Sequence, residues 1–224
     1  MKDKGIVLVS GGMDSLVTAA IAVKECSETY FLHVKYGQRT EKRELESFHK
    51  IREHYNPLDY MICSIEYLKQ IGKSSLIDKA IALDEHIKLG HIPNTYVPFR
   101  NAHLLAIAVS WAETIDANMI YIGAVEEDSS GYPDCREVFL SAYNEAIRMG
   151  TKNDIPIDIK APLLHLSKKD IVLKGCELMV PFHYSWSCYK DNELSCGVCA
   201  SCQLRLKAFQ EANIKDPLSY RQHS

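Results

Sequence analysis

Ser10-Gly11-Gly12-Met13-Asp14-Ser15 decides how this chain is read. It follows a short apolar run, Ile6-Val7-Leu8-Val9, and opens a helix-like segment from Leu16 to Glu25. Strand, glycine turn, helix is the order that points backbone N–H groups out of a helix N-terminus, where aligned peptide dipoles hold an anion. Two glycines let the backbone approach a phosphate with no Cβ in between, and Ser10 and Ser15 add hydroxyl donors. Asp14 is the odd residue. A carboxylate beside a phosphate repels it unless a cation or a donor intervenes, and Mg²⁺ bridging Asp14 to the phosphates would do so. The string lacks the lysine of G-x-x-x-x-G-K-[ST] and the spacing of G-x-G-x-x-G, so neither a Walker A loop nor the usual dinucleotide turn is indicated.

The loop resembles the SGG-x-DS pyrophosphate loop of the ATP pyrophosphatases, a group that includes GMP synthetase, NAD synthetase and tRNA-modifying ligases. That resemblance implies cleavage of ATP to AMP and pyrophosphate. It places ATP against Val9, Ser10, Gly11, Gly12, Met13, Asp14, Ser15, Leu16, Val17, Thr18 and Ala19.

Outward from the loop, strands and helices alternate. Tyr30–Tyr36 reads as a second strand with Gly37-Gln38-Arg39 beyond its end. Thr40 is the expected N-cap of a helix carrying Leu45, Phe48 and Ile51 at roughly 3.6 spacing. Asp59–Ile65 is a third strand, followed by a short helix near Tyr67–Ile71 and an excursion to Pro93. Arg100–Ile115 is apolar on most sides and predicts a buried helix; Met119–Gly123 predicts a fourth strand and Glu137–Met149 another helix. Ile155–Leu164 looks extended but is broken by Pro156 and Pro162. Ser167 caps a helix to about Leu178, with Lys168 and Lys169 at its start. Cations there oppose the dipole, so they have either a ligand or plain solvent. The alternation argues for a mostly parallel α/β sheet. Ligands bind such sheets at the carboxyl ends of strands, which gathers Ser10–Ser15, Gly37–Arg39 and Gly123–Arg136 into one crevice.

At 224 residues the chain suits one domain with a small appendage; we divide it into an α/β body, 1–183, and a C-terminal segment, 184–224. A formal net charge of −3 makes no whole-chain case for nucleic acid as a direct partner. No apolar run is long enough to span a membrane, and the first is far shorter than a secretory h-region. The eight cysteines are uneven, four scattered and four crowded near the C-terminus. That is not the disulfide framework of a small secreted chain, and a cytoplasmic setting is expected.

Cys188, Cys196, Cys199 and Cys202 form C-x₇-C-x₂-C-x₂-C. Four thiolates this close suit tetrahedral Zn²⁺, with every position filled by protein and hence a structural role. A four-cysteine iron–sulfur cluster is the rival. The nine histidines form no comparable cluster.

With these strings in hand the chain resembles the 7-cyano-7-deazaguanine synthase family over nearly its whole length, in order. The matching stretches include Ser10–Ser15, Tyr36-Gly37-Gln38-Arg39, Arg100-Asn101, Asp128 through Gly131-Tyr132-Pro133-Asp134-Cys135-Arg136, Ala161-Pro162-Leu163, Ser187-Cys188-Tyr189 and Cys196 through Arg205-Leu206. The resemblance implies a Rossmann-like adenine-nucleotide alpha hydrolase (PP-loop ATPase) α/β fold with a C-terminal zinc-binding segment, and a homodimer. It implies 7-carboxy-7-deazaguanine and ammonium as substrates, with ATP, Mg²⁺ and structural Zn²⁺. The candidate catalytic groups are Asp14, Arg100 and Lys168, the last two able to neutralise phosphate or carboxylate, with ordinary surface ion pairs as the alternative. Asp128, Tyr132, Asp134 and Arg136 are the candidate substrate contacts, because a carboxylate there would accept the guanine N1–H and amino hydrogens. Cys135 has no sequence neighbour that would activate a thiolate. Two positions depart from the family: Phe99, where a small residue, often glycine, precedes Arg-Asn, and Lys35 before Tyr36. A tRNA-modifying ligase and a zinc-ribbon binding module are the competing assignments; the first needs a basic RNA-binding extension and the second a dead nucleotide loop.

Overall fold

The computed structural model describes residues 3–84, 91–126, 131–152 and 156–222. Side-chain alternation in the first strand sets its architecture. In β1 (Lys4–Leu8), Ile6 and Leu8 join one hydrophobic core, while Val7, with Val9 just beyond the strand, joins a second core. All four are buried, as a strand covered on both faces requires. β1 pairs in parallel with β2 (Glu28–Lys35) on one side and β4 (Met119–Tyr121) on the other. β3 (Asp59–Ser64) lies outside β2 and β5 (Asp158–Lys160) outside β4. The order is β3-β2-β1-β4-β5, every strand parallel.

Helices cover both faces. α1 (Met13–Glu25) and α2 (Glu41–Tyr55) bury Leu16, Val17, Phe48 and Ile51 against Val7 and Phe31. Phe48 and Ile51 anchor an otherwise charged α2, contributing roughly 3–6 kcal/mol between them. After the short α3 (Leu68–Ile71), α4 (Arg100–Ile115) and α5 (Glu137–Gly150) pack Leu105, Ala108, Leu140 and Ile147 on the opposite face. α6 (Lys168–Glu177) returns to the α1 side. The parallel α/β sheet expected from the alternation is the sheet observed.

Some local expectations shift. α1 begins at Met13, so Met13–Ser15 are its first turn. Ser167 caps α6, accepting from Asp170 N at 3.2 Å. Thr40 holds the N-cap position of α2, but its hydroxyl donates to Glu44 Oε1 at 2.8 Å instead of accepting from the helix. The extended stretch before Pro162 shortens to the three residues of β5.

The C-terminal segment adds α7 (Ala200–Glu211), which no periodicity announced, because its buried face carries Cys202 and Arg205 beside Ala208 and Phe209. α7 packs on α6. Trp186 N donates to Gly11 O at 2.8 Å, and Ser195 bridges Tyr220. No helix among the described residues is long and apolar enough to cross a membrane.

Candidate active site

Chain order reverses direction between β1 and β4, and a crevice opens where it does. It is a cavity of about 290 Å³. Ser10 and Gly12–Ser15 form one wall. Tyr36 comes from the end of β2, Arg100 and Asn101 from the start of α4, and Gly123–Val125 from the end of β4. Trp186–Tyr189, Ser201 and Arg205 close it from the C-terminal segment.

Glycine is required where the loop bends. Gly11 has φ +93°, and a Cβ there would lie 2.5 Å from the Glu44 carbonyl oxygen. Gly123 is similarly confined: a Cβ would meet Ser15 N at 3.0 Å. Ser10 Oγ donates to Ser15 Oγ (3.1 Å), and Ser15 Oγ donates to Gly12 O (3.0 Å), which folds the loop over the start of α1. Gly12 occupies the N-cap and offers no side chain to the first-turn N–H groups. Met13, Asp14 and Ser15 of that first turn line the cavity, where an anion would satisfy such N–H groups.

Of the expected nucleotide contacts, Val9, Ser10, Gly12, Met13, Asp14 and Ser15 line the cavity. Leu16, Val17, Thr18 and Ala19 are fully buried in the core and support the loop from behind. Lys168 supplies the cation that Asp14 demanded: its Nζ lies 2.7 Å from Asp14 Oδ2. Asp14 Oδ1 is buried with no hydrogen-bond partner, the kind of hard oxygen that a Mg²⁺ ion takes as ligand.

Arg100 Nη1 donates to the Tyr36 hydroxyl at 3.1 Å, and its guanidinium stands 5.1 Å from the Tyr36 ring and 6.0 Å from the Tyr132 ring. Burial pushes the Tyr36 hydroxyl up to about 12, so it stays neutral. Cys135 also lines the cavity. Burial, reinforced by the Asp134 carboxylate, pushes its thiol up to about 11, which leaves it protonated and a poor nucleophile.

The remaining expectations divide. Tyr132 reaches the cavity. Asp134 does not line it; the side chain is 2% exposed, and its Oδ2 accepts from Asn101 N at 2.8 Å. It ties the 3₁₀ turn Pro133–Cys135 to α4. Arg136 is exposed and bonds back to Pro133 O, beside a separate hollow. Asp128 lies outside the described residues. Gly37–Arg39 does not line the cavity either, although Tyr36 does. Arg39 instead clamps the excursion, donating to the carbonyls of Ser75, Asp78 and Ile81. Lys35 pairs with Glu41 at 3.4 Å and does not line the cavity.

Sequence reasoning passed over Glu44, Trp186 and Arg205. Arg205 is 2% exposed. It meets both Asp216 oxygens (2.8 and 3.0 Å) and Ser185 Oγ (2.6 Å), bracing the 185–188 wall. Its signal was a cation three residues after Cys202, on the helix face that the ligand occupies.

All four C-terminal cysteine sulfurs lie within 4.8 Å of one another and are buried. Cys196 and Cys202 are 4.0 Å apart; tetrahedral zinc with bonds of about 2.3 Å sets sulfurs about 3.8 Å apart. Backbone N–H groups of Lys190 and Cys196 point at Cys188 Sγ, and that of Cys199 at Cys196 Sγ. Such donors favour thiolates, and the set fits zinc.

A family model described as queuosine biosynthesis protein QueC matches residues 4–213. The chain is 54% identical over 221 residues to the 7-cyano-7-deazaguanine synthase of Chloroherpeton thalassium, covering 97% of each. It is 54% identical over 218 residues to that of Chlorobium phaeovibrioides, covering 97% of this chain and 96% of the relative. A solved NH3-dependent NAD synthetase from Campylobacter jejuni is 15% identical with a TM-score of 0.48, over 82% of this chain and 67% of that one.

Proposed function

The chain belongs to the queuosine biosynthesis protein QueC family, and from that premise we propose that it converts 7-carboxy-7-deazaguanine to 7-cyano-7-deazaguanine at the expense of ATP. The chemistry dictates the parts. A carboxyl group has two oxygens and a nitrile none, so two oxygens must leave, and oxide is too poor a leaving group. Attack of the carboxylate on the α-phosphorus of ATP releases pyrophosphate and gives an acyl adenylate. Ammonia then displaces AMP and leaves the amide. The amide oxygen attacks a second ATP, again releasing pyrophosphate, and loss of AMP with two protons gives the nitrile.

Both activations need charge stabilised on the departing pyrophosphate. The observation that most supports this reading is the uncapped start of α1, facing the same cavity as Lys168 and Arg100. The α1 amides and Lys168 meet the pyrophosphate charge. Arg100, with its Nε buried and unpartnered, meets the substrate's oxygens. Asp14 holds Lys168 in place and with its other oxygen would hold Mg²⁺, which supplies further charge neutralisation when bound. Cys188, Cys196, Cys199 and Cys202 would hold a structural Zn²⁺, which would fix the wall that carries Trp186–Tyr189. Segment 184–224 is thereby an appendage of the α/β body, 1–183. We take ammonium as the nitrogen source, a homodimer as the working form and the cytoplasm as the setting, with no nucleic acid in the reaction.

ATP–pyrophosphate exchange tests the first step. Exchange should depend on 7-carboxy-7-deazaguanine and fall about 100-fold in Lys168→Met, the usual cost of removing a group that meets transition-state charge. Exchange that ignores the acid, or that requires tRNA, would contradict the assignment.

A further inference from the structure

Among the described residues, the cavity wall carries two carboxylates, Asp14 and Glu44. Lys168 occupies the first. Glu44, in the first turn of α2, has no ion-pair partner among the described residues; its contacts are neutral. Gln38 Nε2 donates to Oε2 at 2.9 Å and Thr40 Oγ1 to Oε1 at 2.8 Å. Both donors are themselves fixed: Gln38 is 5% and Thr40 2% exposed, and Gln38 Oε1 accepts from Tyr36 N at 3.0 Å. That last bond turns the Gln38 amino group toward Glu44. The carboxylate is therefore aimed, with one lone pair on each oxygen used and one left.

A desolvated carboxylate without a close ion pair is costly. Burial pushes the Glu44 carboxyl up, and Gln38, Thr40 and the nearby Arg100 only partly offset it. What would complete it is a ligand that brings two donors side by side. The guanine-type edge does this with N1–H and the exocyclic amine, and sets a carbonyl oxygen next to them. Arg100, which lines the same cavity, is the matching donor. An adenine edge pairs one amine with an acceptor nitrogen, which a carboxylate repels. The two purine-like substrates are thus told apart by charge, in a cavity with the Tyr36 and Tyr132 rings beside Arg100.

We propose that Glu44 is the specificity-determining residue for the deazaguanine, accepting its N1–H and amino hydrogens, with Arg100 on its carbonyl oxygen. The proposal rests on the reading of this cavity as the site of the acid-to-nitrile reaction. It replaces the substrate-reading role expected of Asp134, which bonds α4 through Oδ2 and does not line the cavity.

The test compares 7-carboxy-7-deazaguanine with its analogue lacking the 2-amino group, both by ATP–pyrophosphate exchange. Wild type should prefer the amino compound by about 100-fold in kcat/KM, since a site built for a donor rejects the ligand lacking it. In Glu44→Gln the KM for the amino compound rises at least about 30-fold, the KM for ATP moves less than about 3-fold, and the preference shrinks to about 3-fold. Glu44→Asp, which keeps the charge but withdraws it, should fall between the two and guards against a folding defect in the first variant. An unchanged preference in both variants, or a loss confined to ammonium affinity, overturns the role of Glu44. Wild-type exchange with neither acid overturns the functional reading on which it rests.

Discussion

Phe99 stands in a backbone conformation that disfavours side chains. It is the N-cap of α4 with φ +57°, and its ring is 56% exposed. A left-handed backbone costs an L residue roughly 1–2 kcal/mol, which a glycine would not incur. Phe99→Gly should raise stability by about 1 kcal/mol and Tm by about 2–4 °C. A lower Tm would show instead that the ring's edge contacts with Phe139 and His103 (5.8 and 6.5 Å) outweigh the backbone strain. At this scale the sequence was legible where residue type alone carries the chemistry. Asp14 demanded a cation and Lys168 provides one; the Cys135 thiol lacked activation and is pushed up. It was not legible where orientation decides. Nothing in the string Asp134-Cys135-Arg136 tells that the first side chain turns inward to α4 and the last outward. Glu44 looks, in sequence, like any helix-surface glutamate.

α1 and α7 show the two extremes among elements. α1 follows an apolar strand and a double glycine, so its existence and its place after the loop could be read directly, although it begins three residues earlier than the apolar run suggests. α7 hides, because metal-ligand and cation positions replace apolar ones on its buried face: Cys202 and Arg205 take the places where leucines would have shown a period. Both elements meet at the cavity, since the α7 residue Arg205 braces the wall whose Trp186 N bonds Gly11 O. Loss of a metal from the four-cysteine site should therefore reach the Ser10–Ser15 loop. Cys199→Ser is expected to lower bound zinc, measured by metal analysis, and to cost at least about 2 kcal/mol, because a structural site contributes folding energy. Unchanged metal content and an unchanged Tm would remove the structural role.

For the whole molecule, alternating strands and helices were enough to give a doubly wound parallel sheet, because each strand's apolar run needs cover on both faces. The switch point then fixed where the loops must converge. Which loops actually face inward depended on tertiary contacts: Arg39 is drawn to the 75–81 carbonyls and takes its turn away from the crevice. The cavity joins the uncapped start of α1, the Lys168 and Arg100 cations and the desolvated Glu44 carboxylate, and the proposed successive activation of an acid and its amide uses each of them. The stoichiometry of a complete reaction tests that claim most directly. With 7-carboxy-7-deazaguanine, Mg²⁺, ATP and ¹⁵N-ammonium, the protein should form ¹⁵N-labelled nitrile with two AMP and two pyrophosphate per product. One AMP per product, with the amide as end point, would contradict the account.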